Sequence, residues 1–264
     1  MKKLKWNISY SFLSDIIKKG VLYAINRKEN RKDEYNFGSA YHCLVLEPER
    51  FEKEYKVFSG TRRGKEFKGL LEEYAHSKLI PEKDLEKMQE MKKALFANEE
   101  FVKYYEICDK EVRFEKDING HIFKGFLDLY SEFTKFGMDL KTGTTDPHEI
   151  ARQVFKFNYD IQHYMYTNLA DLDDFKFIFQ ETEYPYYSRI ITLDDEWYDT
   201  GEKKTLDAYN KYINHELSTP ETTVKDELLI KRAGYMTYEE ESEHPAIEWW
   251  DKKDIPKGRD KWAR

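Results

Sequence analysis

Cysteine is scarce: the 264 residues hold two, Cys43 and Cys108. Two distant thiols cannot form a disulfide framework, nor supply the four-thiolate sets that hold zinc or iron–sulfur clusters. The matching expectation is a reduced, cytoplasmic compartment. No run of about 18 apolar residues occurs, so no membrane-spanning helix and no membrane partner are expected. The opening MKKLKWNISYSF carries lysines with no apolar stretch behind them, which argues against a signal peptide. No repeat of fixed period is apparent. An excess of positive charge is also missing: 44 Lys and Arg face 51 Asp and Glu, a net −7. That balance weighs against nucleic acid as a partner without excluding it, because a local basic groove can sit on an acidic chain.

Aromatic residues are abundant, at 16%, with 20 Tyr and 17 Phe. Most of them suit a core, since rings bury much area per residue, and a minority could offer surfaces for stacked bases. The length fits one large domain, or one domain and a tail.

The spacing predicts a short helix over Ser9–Gly20, capped by Ser9 or Ser11, and a second over Gly38–Glu47, limited by Pro48. A charged loop is expected over Asn26–Tyr35 and a basic, glycine-punctuated one over Ser59–Lys65. Glu66–Tyr105 reads as mostly helical with a break near Ile80–Pro81, because Leu85, Met88, Met91 and Leu95 recur at helical spacing. Alternation then takes over. Strands are expected at Glu111–Lys116, His121–Tyr130 and Phe136–Lys141, the first two joined at Asn119-Gly120. A helical region over Pro147–Ala170, broken near Phe157-Asn158, precedes two strands, Phe175–Glu183 and Tyr187–Leu193. Asp194 is placed to cap a last helix running to Leu217. This order makes a mixed α/β domain with a central sheet. The expected organisation is a domain over 1–218, with a helical part (1–109) and a sheet-containing core (110–218), then a C-terminal extension, 219–264, with at most an ordered patch at Trp249-Trp250.

Asp139 and Lys141 stand two apart on a predicted strand, so both side chains project to one face and Leu140 to the other. Asp128, near the end of the preceding strand, can be brought beside Asp139 by the turn. Two carboxylates on neighbouring strands make an oxygen site suited to Mg²⁺. A lysine beside it can orient or help deprotonate an attacking water, or stabilise charge on a phosphate. The bland alternative is a solvated Asp/Lys surface pair, and Asp-x-Lys alone does not decide between them. Gln162 and Tyr166, four apart on a predicted helix, share a face and could reach the same place. Glu111 could be a further acidic group or a solvated strand end. Glu47 fits a helix-end surface residue better than a site residue, and His148 and His163 fit structural roles. Arg62, Arg63 and Lys65 could grip DNA phosphates or form an ordinary charged loop. Thr142 could position substrate or serve its turn.

At these residues the chain resembles a known superfamily. Lys124-Gly125-Phe126-Leu127-Asp128, Met138-Asp139-Leu140-Lys141-Thr142 and Gln162-x-x-x-Tyr166 look like the core of the PD-(D/E)XK nucleases, in their RecB-like branch. The stretch Gly38-Ser39-Ala40-Tyr41-His42-Cys43-Leu44-Val45-Leu46-Glu47-Pro48-Glu49-Arg50-Phe51, followed by Arg62-Arg63-Gly64-Lys65, resembles phage RecE-type (exodeoxyribonuclease VIII-like) domains. The likeness covers about residues 8–215. One departure is Leu127 where the family's first acidic motif is sometimes written with proline.

The resemblance implies a restriction-endonuclease-like α/β core, a central mixed sheet flanked by helices. It implies His42 as a metal-site residue with Asp128, Asp139 and the Leu140 carbonyl, and a Mg²⁺ cofactor with Mn²⁺ as the second option. Lys141 would assist the nucleophile, with Gln162 and Tyr166 in support and Arg62, Arg63, Lys65 and Thr142 on DNA. It further implies an exonuclease on linear duplex DNA ends, 5′ to 3′, in phage-type recombination, with a single-strand annealing partner and a homo-oligomeric ring around DNA. The rival readings are an endonuclease, a relative of the CRISPR nucleases lacking their iron–sulfur cluster, or a DNA-end-binding module with a dead site.

Overall fold

The computed structural model describes residues 7–27 and 36–217; the expected C-terminal patch at Trp249-Trp250 lies outside them. Capping side chains open many of the helices. Ser9 Oγ accepts from the Phe12 amide (3.3 Å) at the start of α1 (Tyr10–Lys19), which ends at Gly20 and is followed by α2 (Val21–Asn26). Asn36 caps α3 (Phe37–Leu46) through the Ser39 amide at 3.0 Å. Pro48 ends nothing for long: it sits in the first turn of a new helix, α4 (Pro48–Glu54), where a missing N–H costs no bond.

Glu66–Tyr105 is mostly helical, as its spacing implies, and it is interrupted at Leu79–Pro81. Two three-residue strands, β2 (Lys56–Phe58) and β3 (Leu79–Pro81), pair in parallel around the short helix α5 (Lys65–Leu70). The break at Ile80-Pro81 is thus a buried strand. Two helices follow, α6 (Glu82–Phe96) and α7 (Glu99–Ile107).

The main sheet has six strands. They are β1 (Ile8–Ser9), β4 (Asp109–Ile118), β5 (His121–Ser131), β6 (Phe136–Thr142), β7 (Asp174–Gln180) and β8 (Ser188–Thr192). The hairpin β4–β5 turns at Asn119-Gly120, as its sequence suggests. Between β6 and β7, which run parallel, the chain crosses over through α8 (Pro147–Phe157) and α9 (Tyr159–Ala170). A 23-residue helix, α10 (Asp195–Leu217), closes the fold, with the Asp194 carboxylate accepting from the Trp197 amide at 3.1 Å.

Helices cover both faces of the sheet. Met138 and Leu140 pack with Ala40 and Tyr41 of α3 and Met88, Met91 and Leu95 of α6. Phe177 and Phe179 pack with Ile150 and Val154 of α8, and with Trp197 of α10. A third cluster joins α1, α9 and α10 through Leu13, Ile161 and Tyr212. Fully burying such side chains contributes roughly 1.5–3 kcal/mol each before conformational entropy is charged against it. No described helix is long and apolar enough to cross a membrane.

Candidate metal-dependent nuclease site

The site begins with a defect in the sheet. Strand β5 is paired along one edge by β4. Its other edge is shared: β1 takes Phe123 and Lys124, and β6 takes Leu129–Ser131. Gly125–Asp128 therefore have no strand on that side, and Asp139–Thr142 of β6 pair only with β7. The strands splay, and side chains fill the gap. Asp128 Oδ2 reaches across it to accept from the Leu140 amide at 2.6 Å. The Tyr166 ring of α9 lies against Gly125, where a Cβ would sit 2.7 Å from Cε1, and its hydroxyl meets the Phe126 amide and Gln162.

Strand β4 bends at the same level. Lys110 and Val112 pair with Leu129 and Leu127, but Glu111, in register with Asp128, makes no ladder pair and adopts φ 54°. That left-handed conformation costs a non-glycine residue roughly 1 kcal/mol or more, and such costs gather at functional sites. The interruption also turns β5 over: Leu129 packs with Met138, whereas Leu127 packs with Ile150 and Trp197. Asp128 is thus presented edge-on to the gap.

Two groups of side chains converge there. The first is His42 from α3, Glu111 from β4 and Asp128 from β5, whose donor atoms all lie within 4.8 Å of one another. His42 Nδ1 is 3.4 Å from Asp128 Oδ2. Its helix is pinned by the adjacent Tyr41, whose hydroxyl donates to Gln180 Oε1 of β7, while Gln180 Nε2 donates to the Met91 carbonyl of α6 at 2.7 Å. The second group is a ring of three. Lys141 Nζ lies 2.7 Å from Asp139 Oδ2 and donates to Gln162 Oε1 at 2.9 Å, and Gln162 Nε2 donates to Asp139 Oδ1. The amide of Gln162 is the one neutral group that serves both charges at once. Tyr159 completes the wall, its ring centroid 4.5 Å from Lys141 Nζ.

The electrostatics are those of crowded acids. Burial pushes the Glu111 carboxyl up to about 7, with the charges of Asp128 and Glu47 adding to it. Burial also raises Asp139, offset in part by Lys141. At His42 burial opposes the proton, but the Asp128 charge and hydrogen bond, with Asp139, outweigh it and raise its pKa. Lys141 behaves alike: burial lowers it, and Asp139 more than compensates, which keeps the ammonium charged. A divalent cation fits this donor set. Carboxylate oxygens with one imidazole suit Mg²⁺ or Mn²⁺, a cation would relieve the repulsion, and Asp139 Oδ2 is a buried oxygen that takes no well-angled hydrogen bond.

The structure brings together His42, Glu111, Asp128, Asp139, Lys141, Gln162 and Tyr166. Asp139 differs from its expected place: its carboxylate is turned to Lys141 and Gln162, and Glu111 stands among the grouped donors instead. Glu47, expected on the surface, caps α3, pairs with Arg50 and lines a cavity of about 410 Å³ with His42 and Glu111. Leu140 is buried, and Thr142 ends β6 with Oγ1 against Gly38. Arg62 and Arg63 are exposed on the loop between β2 and α5, and Lys65 is exposed at the start of α5. His163 is buried and stacked on Phe175, and burial lowers it to about 4. Tyr159 was missed by the sequence reading, though its spacing of three from Gln162 and seven from Tyr166 puts all three on one helix face.

The sequence matches the model of a PDDEXK-like domain of unknown function (DUF3799) over residues 21–223. Among curated proteins nothing matches. A solved structure from Eubacterium rectale, provisionally called an exonuclease, is similar at 17% identity, covering 83% of this chain and 91% of that one with a TM-score of 0.52. A phage-related exonuclease from Haemophilus somnus 129PT gives 17% identity over 81% of this chain and 97% of that one, with a TM-score of 0.38.

Proposed function

We propose, from the premise that this chain belongs to the PDDEXK-like domain family, that it is a divalent-metal-dependent exonuclease hydrolysing linear duplex DNA. The observation carrying the reading is the sheet gap, where a half-buried ammonium, Lys141, is held by Asp139 and Gln162 beside the His42, Glu111 and Asp128 donors. Phosphodiester hydrolysis adds water across a P–O bond: the water oxygen bonds to phosphorus, the leaving oxygen departs, and a proton ends on it. His42, Glu111, Asp128 and Asp139, with the Leu140 carbonyl, would hold Mg²⁺ or Mn²⁺. When bound, such a cation neutralises phosphate charge and acidifies water. Lys141, kept charged by Asp139, orients the attacking water or steadies the negative charge that builds on the phosphate, rather than taking a proton. Gln162 holds Lys141 and Asp139 in one geometry, and Tyr166 seals the splayed strand edge. Thr142, Arg62, Arg63 and Lys65 are proposed phosphate contacts. The domain is taken as residues 1–218, with 219–264 as an extension.

Exonuclease rather than endonuclease action rests on the RecE-type resemblance and agrees with the name given to the Eubacterium rectale protein. The 5′-to-3′ polarity, a role in phage-type recombination, a ring-forming homo-oligomer and an annealing partner rest on that resemblance alone. Linear duplex labelled at its 5′ or 3′ end, with a circular plasmid alongside, tests the end requirement and the polarity. The expected result is early release of the 5′ label with the plasmid intact. Asp139→Ala and Lys141→Ala should each lower metal-dependent cleavage by about a thousandfold, the upper range for losing one preorganised electrostatic group. Removing one member of a buried pair also costs stability, so melting curves and the isosteric Asp139→Asn accompany them. Activity retained in both alanine variants would sink the site assignment. Binding to linear ends without cleavage in either metal would favour the dead-site module.

A further inference from the structure

A track of rings and lysines leaves the site on the far side of Lys141. Tyr159, beneath the Lys141 ammonium, is followed by Phe157, with ring centroids 5.6 Å apart, and by Tyr10, at 6.4 Å. Phe155 and Phe157 are 40% and 37% exposed at the end of α8, unusual for residues with a sizeable core available to them. Two ammonium groups flank the Phe157 ring, Lys18 at 5.6 Å and Lys156 at 5.4 Å. Among the described residues no ion pair holds either. Lys19, Lys156 and Lys204 also lie near enough to repel Lys18: burial lowers the Lys18 pKa and these neighbours lower it further, against Asp15.

The track is built, not draped. The α8–α9 junction turns at Asn158, in the left-handed conformation (φ 56°), and Asn158 Nδ2 donates to Ser14 Oγ of α1 at 3.0 Å in a buried position. Nearby, the Tyr10 hydroxyl donates to the Phe157 carbonyl at 2.7 Å. Two side chains thus clamp the junction to α1 and hold Phe157 outward. A lysine in the last turn of α8 offsets the helix dipole, which accounts for Lys156 but not for an exposed ring between two ammonium groups on different helices.

We infer that Tyr10, Lys18, Phe155, Lys156 and Phe157 form a binding track for a single strand of DNA, leading to or from the gap at Lys141. Exposed rings can stack only on bases that have left the duplex, while flanking lysines meet the phosphates between them. Charge complementarity and continuity with the catalytic wall through Tyr159 select this occupant. It also supplies the local positive surface that the net charge hides. The inference rests on the nuclease reading for its purpose, but its test does not.

The test is fluorescence anisotropy with a labelled 20-residue oligothymidylate in EDTA, where no cleavage can occur, for the full chain and for Phe157→Ala, Phe157→Trp and Lys18→Ala/Lys156→Ala. Loss of the ring should weaken binding about tenfold, within the range for one stacked base, and tryptophan should keep it. Loss of both lysines should reduce the slope of log affinity against log salt by about 1.4, since each single-strand phosphate contact carries roughly 0.7. Each variant's melting curve separates misfolding from lost contact. Unchanged affinity and salt slope would overturn the track even if the wild-type protein cleaves duplex normally. Equal losses for a blunt duplex of the same length would overturn its single-strand character. Track-dependent binding by a protein that never cleaves would leave the track standing and remove the nuclease reading instead. No binding and no cleavage would remove both.

Discussion

At the scale of single residues, the site depends on contacts that tolerate little change. Gly125 has the Tyr166 ring where a side chain would begin, with Cε1 at 2.7 Å and Cδ1 at 3.0 Å from a Cβ. The ring is half-buried against β5 and cannot retreat without releasing the Phe126 amide. Gly125→Ala should therefore cost about 1–3 kcal/mol, the usual price of overpacking, and should lower cleavage by displacing α9 and Gln162. Urea denaturation and a cleavage assay on the same preparation check this, and an unchanged midpoint with unchanged rate would refute the contact. His163 supports a different prediction. It is buried, its Nδ1 has no partner, and its pKa is depressed to about 4, so the fold holds it neutral. The unfolded state binds its proton near pH 6.5 and the folded state only near 4. Stability from this group is complete above about 6.5, declines as pH falls to 4, and is flat below. At 1.36 kcal/mol per unit, the loss from pH 6.5 to 5 is about 2 kcal/mol. A His163→Asn variant should show that much less acid sensitivity over the same window, measured by denaturant titration at both pH values. Equal pH slopes in the two proteins would count against the assignment.

Among the elements, α9 is the one whose place decides the site, since it carries Tyr159, Gln162 and Tyr166. It is fixed from behind by α10. Gly201 of α10 lies so close to α9 that a Cβ would stand 2.2 Å from the Asp160 carbonyl oxygen, a backbone atom with nowhere to go. Beside it Lys204 pairs with the buried Asp160 at 2.6 Å. Gly201→Ala should push the helices apart and destabilise the fold by several kcal/mol, more than Gly125→Ala, because rigid backbone rather than a ring opposes the methyl. A melting temperature within a degree of wild type would show that the helices do not meet there. These elements also show what a single sequence displays. Caps at Ser9 and Asp194, the Asn119-Gly120 hairpin and the break at Asn158 were legible because each is a local signal with a local cause. Strands β2 and β3 were not: three residues are too few to reveal alternation, and their parallel pairing joins distant segments. Glu111 was obscured for the opposite reason. Alternation implies a regular strand, and the φ of 54° that re-aims it is imposed by the tertiary structure around Asp128.

Across the whole molecule, the candidate site was legible in its components but not in its division of labour. Asp139 and Lys141 share a face because strands alternate. Which carboxylate joins His42 depends on the splay between β5 and β6, and no spacing encodes that. The division has a thermodynamic consequence. Without a cation, Glu111 and Asp128 oppose each other in a confined place on a chain that is already net negative. Anything that binds the folded state alone stabilises it by RT ln(1 + [L]/Kd), about 2.7 kcal/mol at a hundredfold excess over Kd. For a domain of this size that is a rise of roughly 5–10 °C in Tm. Mn²⁺ or Mg²⁺ added to the EDTA-treated protein should produce a rise of that order, readable by calorimetry with no DNA and no turnover. Glu111→Gln and Asp128→Asn should each shrink the response, because each removes a donor. Glu111→Gln should also raise the metal-free Tm, because it removes a repulsion, whereas Asp128→Asn alters the side chain that accepts from the Leu140 amide and should not. That contrast separates an ion held at the gap from one held elsewhere on an acidic surface, since a surface ion would raise the Tm of all three proteins alike.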